Sequence, residues 1–172
     1  GVKKTSAPAF TASDPRPADY PASLAQERLW TLLQIEEDLP AFNIFGAFEL
    51  LGPLNTEGLT KSLKGIVERH ESLRTNFELK SGKLIQVIRD AGSSGFEVLC
   101  DDLTNGREID KEVSEIIKRE QLYTFDLAHE PLFRAGVIKT GQDAHLLFFN
   151  LHHIIADEWS LDVITGELIR FY

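Results

Sequence analysis

The run Leu146-Leu147-Phe148-Phe149-Asn150-Leu151, followed at once by His152 and His153, constrains this chain more than any other stretch. A short, nearly unbroken apolar segment of this kind reads as a buried strand, here spanning His145 to His153. Side chains alternate along a strand, so Leu146, Phe148, Asn150 and His152 share one face, and Leu147, Phe149, Leu151 and His153 the other. Core packing calls for no double histidine at the end of such a strand. The alternation implies that one histidine points into the fold and is held by hydrogen bonds, while the other faces whatever cleft opens at the strand's end. Histidine titrates near neutrality and is the usual general base at such a place. Asp157, four residues beyond His153, falls in a tight connection to the next helix, where it can cap backbone N–H groups or pair with an arginine. That spacing does not by itself set it against the imidazole as a triad aspartate. Adjacent histidines on opposite faces are also poorly placed to share a metal ion, and no third ligand follows at helical spacing.

The 172-residue sequence as a whole is that of an ordinary soluble globular domain, 42% hydrophobic and 26% charged, long enough for a core of its own. A net charge of −9 with no basic cluster argues against nucleic acid or an anionic membrane as partner. The longest apolar stretch is far short of a bilayer span and no signal region opens the chain, so a cytoplasmic protein is the simplest expectation. The one cysteine, Cys100, excludes an internal disulfide and reads as a packing residue. With no methionine and Gly1 in first place, the chain reads as a piece of something larger.

Residues 1–19, with Pro8, Pro15 and Pro17, read as a linker or disordered lead-in, and 20–172 as the folded part. Ser23 and Gln26 form a capping-box pattern ahead of Leu29, Leu32 and Leu33, predicting a helix over 23–35. Asn43 to Leu51 reads as a strand closed by Gly52-Pro53. Asn55 can cap an amphipathic helix with the stripe Leu59, Leu63, Ile66 and Val67, ending near Glu71. Strands over 73–79 and 83–89 flank Ser81-Gly82 as a hairpin, and Glu97 to Cys100 adds a short strand. A helix over 108–121, strands over 132–140 and 145–153, and a last helix from Ser160 to Tyr172 complete an α/β fold. Its hairpins imply a mixed β-sheet flanked by helices rather than a purely parallel one.

Three segments carry a resemblance. Ser23-Leu24-Ala25-Gln26-Glu27-Arg28-Leu29-Trp30, Arg69-His70-Glu71-Ser72-Leu73-Arg74-Thr75-Asn76-Phe77, and His152 to Asp157 resemble, in order and spacing, motifs of the condensation domains of nonribosomal peptide synthetases. The last is similar to the HHxxxDG motif of that family, which belongs to the chloramphenicol-acetyltransferase-like superfamily. The resemblance spans 20–172 and implies an N-terminal lobe only, a half-domain. It implies amide formation between a carrier-bound acyl or peptidyl donor thioester and an aminoacyl acceptor. His153 would be the catalytic residue, as base or as positioning group, with His152 and Asp157 structural and Asp157 paired to Arg69 or Arg74. The implied partners are upstream and downstream peptidyl carrier proteins, whose 4'-phosphopantetheine arms hold the substrates, and the C-terminal lobe of the same domain. No metal or directly bound cofactor is implied.

Two departures stand out. Glu158 replaces the motif's glycine, and a carboxylate there could narrow the substrate tunnel. Glu158, Trp159 and Ser160 are therefore candidate tunnel or acceptor-side residues, although Trp30 and Trp159 also read as core or rim packing. The chain is also about half the length implied, so alone it is expected to present His153 on an open face and to be inactive or nearly so. The alternative is a carrier-protein recruitment module that keeps the fold without catalysis.

Overall fold

The computed structural model describes residues 19–35 and 40–172. In chain order these form β1 (Asp19–Pro21), α1 (Leu24–Ile35), β2 (Asn43–Leu51), α2 (Thr56–Arg69), β3 (Thr75–Lys80), β4 (Lys83–Ile88), β5 (Val98–Asp102), α3 (Ile109–Gln121), β6 (Phe133–Gly141), β7 (Ala144–His152) and α4 (Glu158–Phe171). The mixed sheet flanked by helices is present, and a second, smaller sheet stands beside it. One is antiparallel with order β1-β4-β3, and the other is mixed, with order β2-β7-β6-β5 and β5 parallel to β6. The strand β1 had no signal in the sequence, and residues 1–18 of the expected lead-in lie outside the described residues.

Local chemistry accounts for the boundaries. Ser23 and Gln26 close a reciprocal capping box at α1: the Ser23 amide donates to Gln26 Oε1 at 2.8 Å and the Gln26 amide to Ser23 Oγ at 3.3 Å. Asn55 caps α2 by accepting from the Gly58 amide at 2.9 Å. The hairpin loop Ser81-Gly82 has φ of 51° and 76°, both in the left-handed region that a two-residue primed turn requires.

The larger sheet is covered on both faces. Leu147, Phe149 and Leu151 of β7 meet Leu63, Ile66 and Val67 of α2 and Ile164 and Leu168 of α4 in one cluster. On the other face Phe148 meets Ile138 and Ile116 of α3. Each of these fully buried side chains contributes about 1.5–3 kcal/mol of transfer free energy. Gly136 on β6 makes room for Phe148, since a Cβ there would stand 2.2 Å from Phe148 Cε1. A third cluster joins the small sheet to α1 through Phe77, Leu84, Phe125, Leu132 and Ile154, with Leu29 and Trp30 against it. Cys100 takes no part in any of this: it is exposed on the outermost strand of the larger sheet, with Thr60 Oγ1 3.9 Å from its sulfur.

Candidate active site

β7 pairs along its whole length with β2 on one side and β6 on the other, and it ends at His152 rather than at His153. The strand's last residue is buried, 3% exposed. Its Nδ1 accepts from the Ile154 amide at 3.1 Å, and its ring lies edge-on to Phe125 at 5.9 Å. Burial, helped by the neighbouring charge of His153, pushes its pKa down to about 4, so the ring is neutral at physiological pH.

His153 opens the turn that follows and is exposed. The two histidines do part company as the alternation implied, but His153 is turned outward by a tight turn rather than by the pleat. Its backbone amide donates to the Phe42 carbonyl at 2.8 Å. The turn closes on itself through the Ile155 amide, which donates to the His152 carbonyl at 3.1 Å. Gln26 of α1 then clamps it from outside, donating Nε2 to the Ile154 carbonyl at 3.1 Å and to Gln86 Oε1 at 3.1 Å. Thus the segments around Gln26 and around the double histidine meet, and His153 stands in an open pocket of about 360 Å3 with Gln26, Leu29, Ala156, Asp157 and Ser160 around it.

Asp157 is the N-cap of α4. Its Oδ1 accepts from the Ser160 amide at 3.0 Å and from the Ser160 hydroxyl at 2.7 Å, and Ser160 Oγ in turn accepts from the Asp157 amide at 3.1 Å. The Ser160 hydroxyl first, then its amide, hold the Asp157 carboxyl below the usual carboxylate range, and the charge of His153 acts in the same direction. Among the described residues no ion pair joins Asp157 to Arg69 or Arg74, the pairing the resemblance implies. Arg69 Nε lies 3.2 Å from Glu167, which also takes His70 Nε2 at 2.7 Å. Arg74 lies 3.6 Å from Glu71 and donates to the Arg89 carbonyl. Both arginines are spoken for by residues nearer to hand, while the cap satisfies Asp157 within its own turn.

Glu158 is the first residue of α4, helical and exposed. A glycine's positive φ is not needed at this position, and the only non-glycine residue described with one is Ser81. Trp159 is 74% exposed rather than packed in the core; it lines a small pocket of about 120 Å3 with Ile155, Ser160 and Val163. Among the described residues, no group of three or more His, Cys, Asp or Glu is placed to hold a metal ion, and no helix is long and apolar enough to cross a membrane. The role of Gln26 as a clamp was missed from sequence; its motif marked the residue, but nothing in it names a partner 128 positions away.

Residues 17–172 match the family model described as Condensation domain. Cyclosporin synthetase of Tolypocladium inflatum is 39% identical over 159 residues, 91% of this chain and 1% of that protein. Surfactin synthase subunit 1 of Bacillus subtilis (strain 168) is 36% identical over 166 residues, 95% of this chain and 4% of that protein. The chain is thus a small part of the length of the curated relatives it matches. The starter condensation domain of rhizomide synthetase RzmA superposes with a TM-score of 0.84 at 20% identity, covering 91% of this chain and 39% of that one. The first condensation domain of the calcium-dependent antibiotic synthetase gives 0.79 at 19% identity, with 88% and 36% covered. The shared part is the fold of the N-terminal lobe.

Proposed function

The chain belongs to the condensation domain family, and from that premise we propose that it supplies one wall of an active site that joins two carrier-bound substrates through an amide bond. The amine of an aminoacyl acceptor attacks the carbonyl carbon of a donor thioester. A C–N bond forms, the C–S bond breaks, and the departing thiol takes the proton that the amine gives up. His153 takes that proton in transit or holds the amine in line. A general base contributes about 10²–10⁴-fold, and the alignment of two tethered reactants supplies much of the rest. The thioesters arrive on 4'-phosphopantetheine arms of an upstream and a downstream carrier protein. A second lobe closes the groove opposite His153. Without it, the histidine faces bulk water and turnover is negligible.

The observation that carries this reading is the contrast within the histidine pair. His152 is buried and neutral with its Nδ1 occupied, whereas the His153 ring stands in an open pocket and no described residue hydrogen-bonds to it. A side chain fixed only through its backbone, on a turn clamped from two sides, is what a proton-transferring group at a substrate channel needs. The carboxylate of Glu158 then sits beside that channel and bears on which acceptor fits, with no effect on the backbone.

His153→Ala in the full-length protein tests the assignment, with amide formation measured between two loaded carriers. Loss of turnover with carrier binding retained is expected. Unchanged turnover overturns the catalytic reading, and loss of carrier binding would favour a recruitment module instead.

A further inference from the structure

A second cavity, about 430 Å3 and larger than the His153 pocket, lies between the end of α1, the start of β2, strand β3 and the segment 123–128. This is within the span of about 300–1,000 Å3 usual for small-molecule sites. Its walls include Trp30, Phe77, Tyr123 and Phe125, and His152 contributes to the lining. The Nδ1 of His152 is taken by the Ile154 amide, which leaves the ring proton on Nε2. No described residue accepts from that nitrogen. Nor is it sealed in: the enclosed side-chain atoms without a partner are Arg74 Nε, His145 Nδ1 and Asn150 Oδ1. A residue 97% buried thus keeps one N–H donor without an acceptor among the described residues, and that residue lines an aromatic cavity. Glu78 and Asp126 are the charged residues in the lining; Arg89 lies 2.8 Å from Glu78 and His129 2.9 Å from Asp126, both outside the lining, so the wall itself offers an anion no cationic partner.

We propose that this cavity binds a compact neutral group, aromatic or branched apolar, that carries one hydrogen-bond acceptor placed on His152 Nε2–H. The site is separate from the His153 pocket, and its existence does not depend on the condensation reaction.

N-acetylphenylalaninamide, a neutral aromatic amide, is the probe, and N-acetylphenylalanine, its carboxylate counterpart, is the comparison. Binding is read by NMR from the His152 imidazole nitrogens and the Trp30 indole N–H. The expected result is a saturable shift of His152 Nε2 with the amide in the millimolar range, at least tenfold weaker with the carboxylate. Leu33→Trp and Thr124→Trp crowd the cavity from opposite walls, at half-buried and exposed positions respectively. Whichever of them keeps the wild-type unfolding midpoint should lose at least tenfold in amide affinity. Absence of a saturable shift at His152, equal binding of the carboxylate, or binding that survives in a folded blocked variant overturns the proposal.

Discussion

Gln26 donates its side-chain amide to the carbonyl of Ile154 at 3.1 Å, tying the first turns of α1 to the turn that bears His153. The same nitrogen reaches Gln86 of β4, so the small sheet, α1 and the end of β7 are joined at one side chain. Gln26→Ala should cost about 1 kcal/mol in global stability, the net worth of a hydrogen bond whose carbonyl acceptor is left partly unsatisfied. Its larger effect is local. Amide exchange at Ile155 and Ala156 should accelerate well beyond what the global change explains, as hydrogen exchange would measure. Equal acceleration across β7 would mean that the clamp holds the whole fold rather than the turn.

His152 makes stability fall with acid. Its pKa is about 4 in the folded chain, against the ordinary 6.5, because burial disfavours the charged ring. Between those values the unfolded state binds the extra proton, so stability rises with pH through that window and this contribution is complete above about pH 6.5. Lowering the pH from 7.5 to 5 should therefore cost about 2 kcal/mol from this group alone. Urea denaturation of wild type and His152→Asn at both pH values provides the check. The variant is less stable at pH 7.5 but should lose distinctly less on acidification.

Asp157 acts through the helix it caps. Asp157→Ala should cost about 0.5–2 kcal/mol, the ordinary worth of an N-cap, and fray the first turn of α4. A double-mutant cycle with Arg69→Ala or Arg74→Ala should give a coupling within experimental error of zero. A coupling above about 1 kcal/mol would mean that an arginine pair forms after all.

Gly136→Ala drives a methyl group into the Phe148 ring, with carbon–carbon distances of 2.2 and 2.5 Å before relaxation. Phe148 is wholly buried in the sheet's second face, so it has little room to give way. A loss of about 1–3 kcal/mol is expected. Phe148→Leu in the same chain should recover part of it, because it removes the atoms that collide. If the double variant is no better than the sum of the singles, the collision is not the cause.

Much of this architecture is written locally. The stripe Leu59, Leu63, Ile66 and Val67 could only be one face of a helix. Asn43 to Leu51 carried its own stop in Gly52-Pro53, and Ser81-Gly82 marked the hairpin. Other features depend on neighbours that only the fold supplies. Asp19-Tyr20-Pro21 has no strand pattern and is extended because β4 offers it an edge, with Tyr20 opposite Gln86. Cys100 sits among strand formers, yet its strand is the outermost of its sheet, so strand propensity did not imply burial. Of the two roles open to Asp157 in the sequence, capping and an arginine pair, the cap is the one formed, because Ser160, three residues away, completes it reciprocally at lower entropic cost. That one histidine of the pair is buried and the other exposed is legible from alternation, but the outward face of His153 comes from the turn.

The strand that delivers the histidines is paired on both edges and covered on both faces. Its amides should exchange only when the whole lobe opens, which makes the His153 backbone a fixed reference point. Under the proposed function, adjustment to substrates of different size falls to the second lobe and the carrier-borne arms, and a change of acceptor preference should be sought there before the anchored histidine.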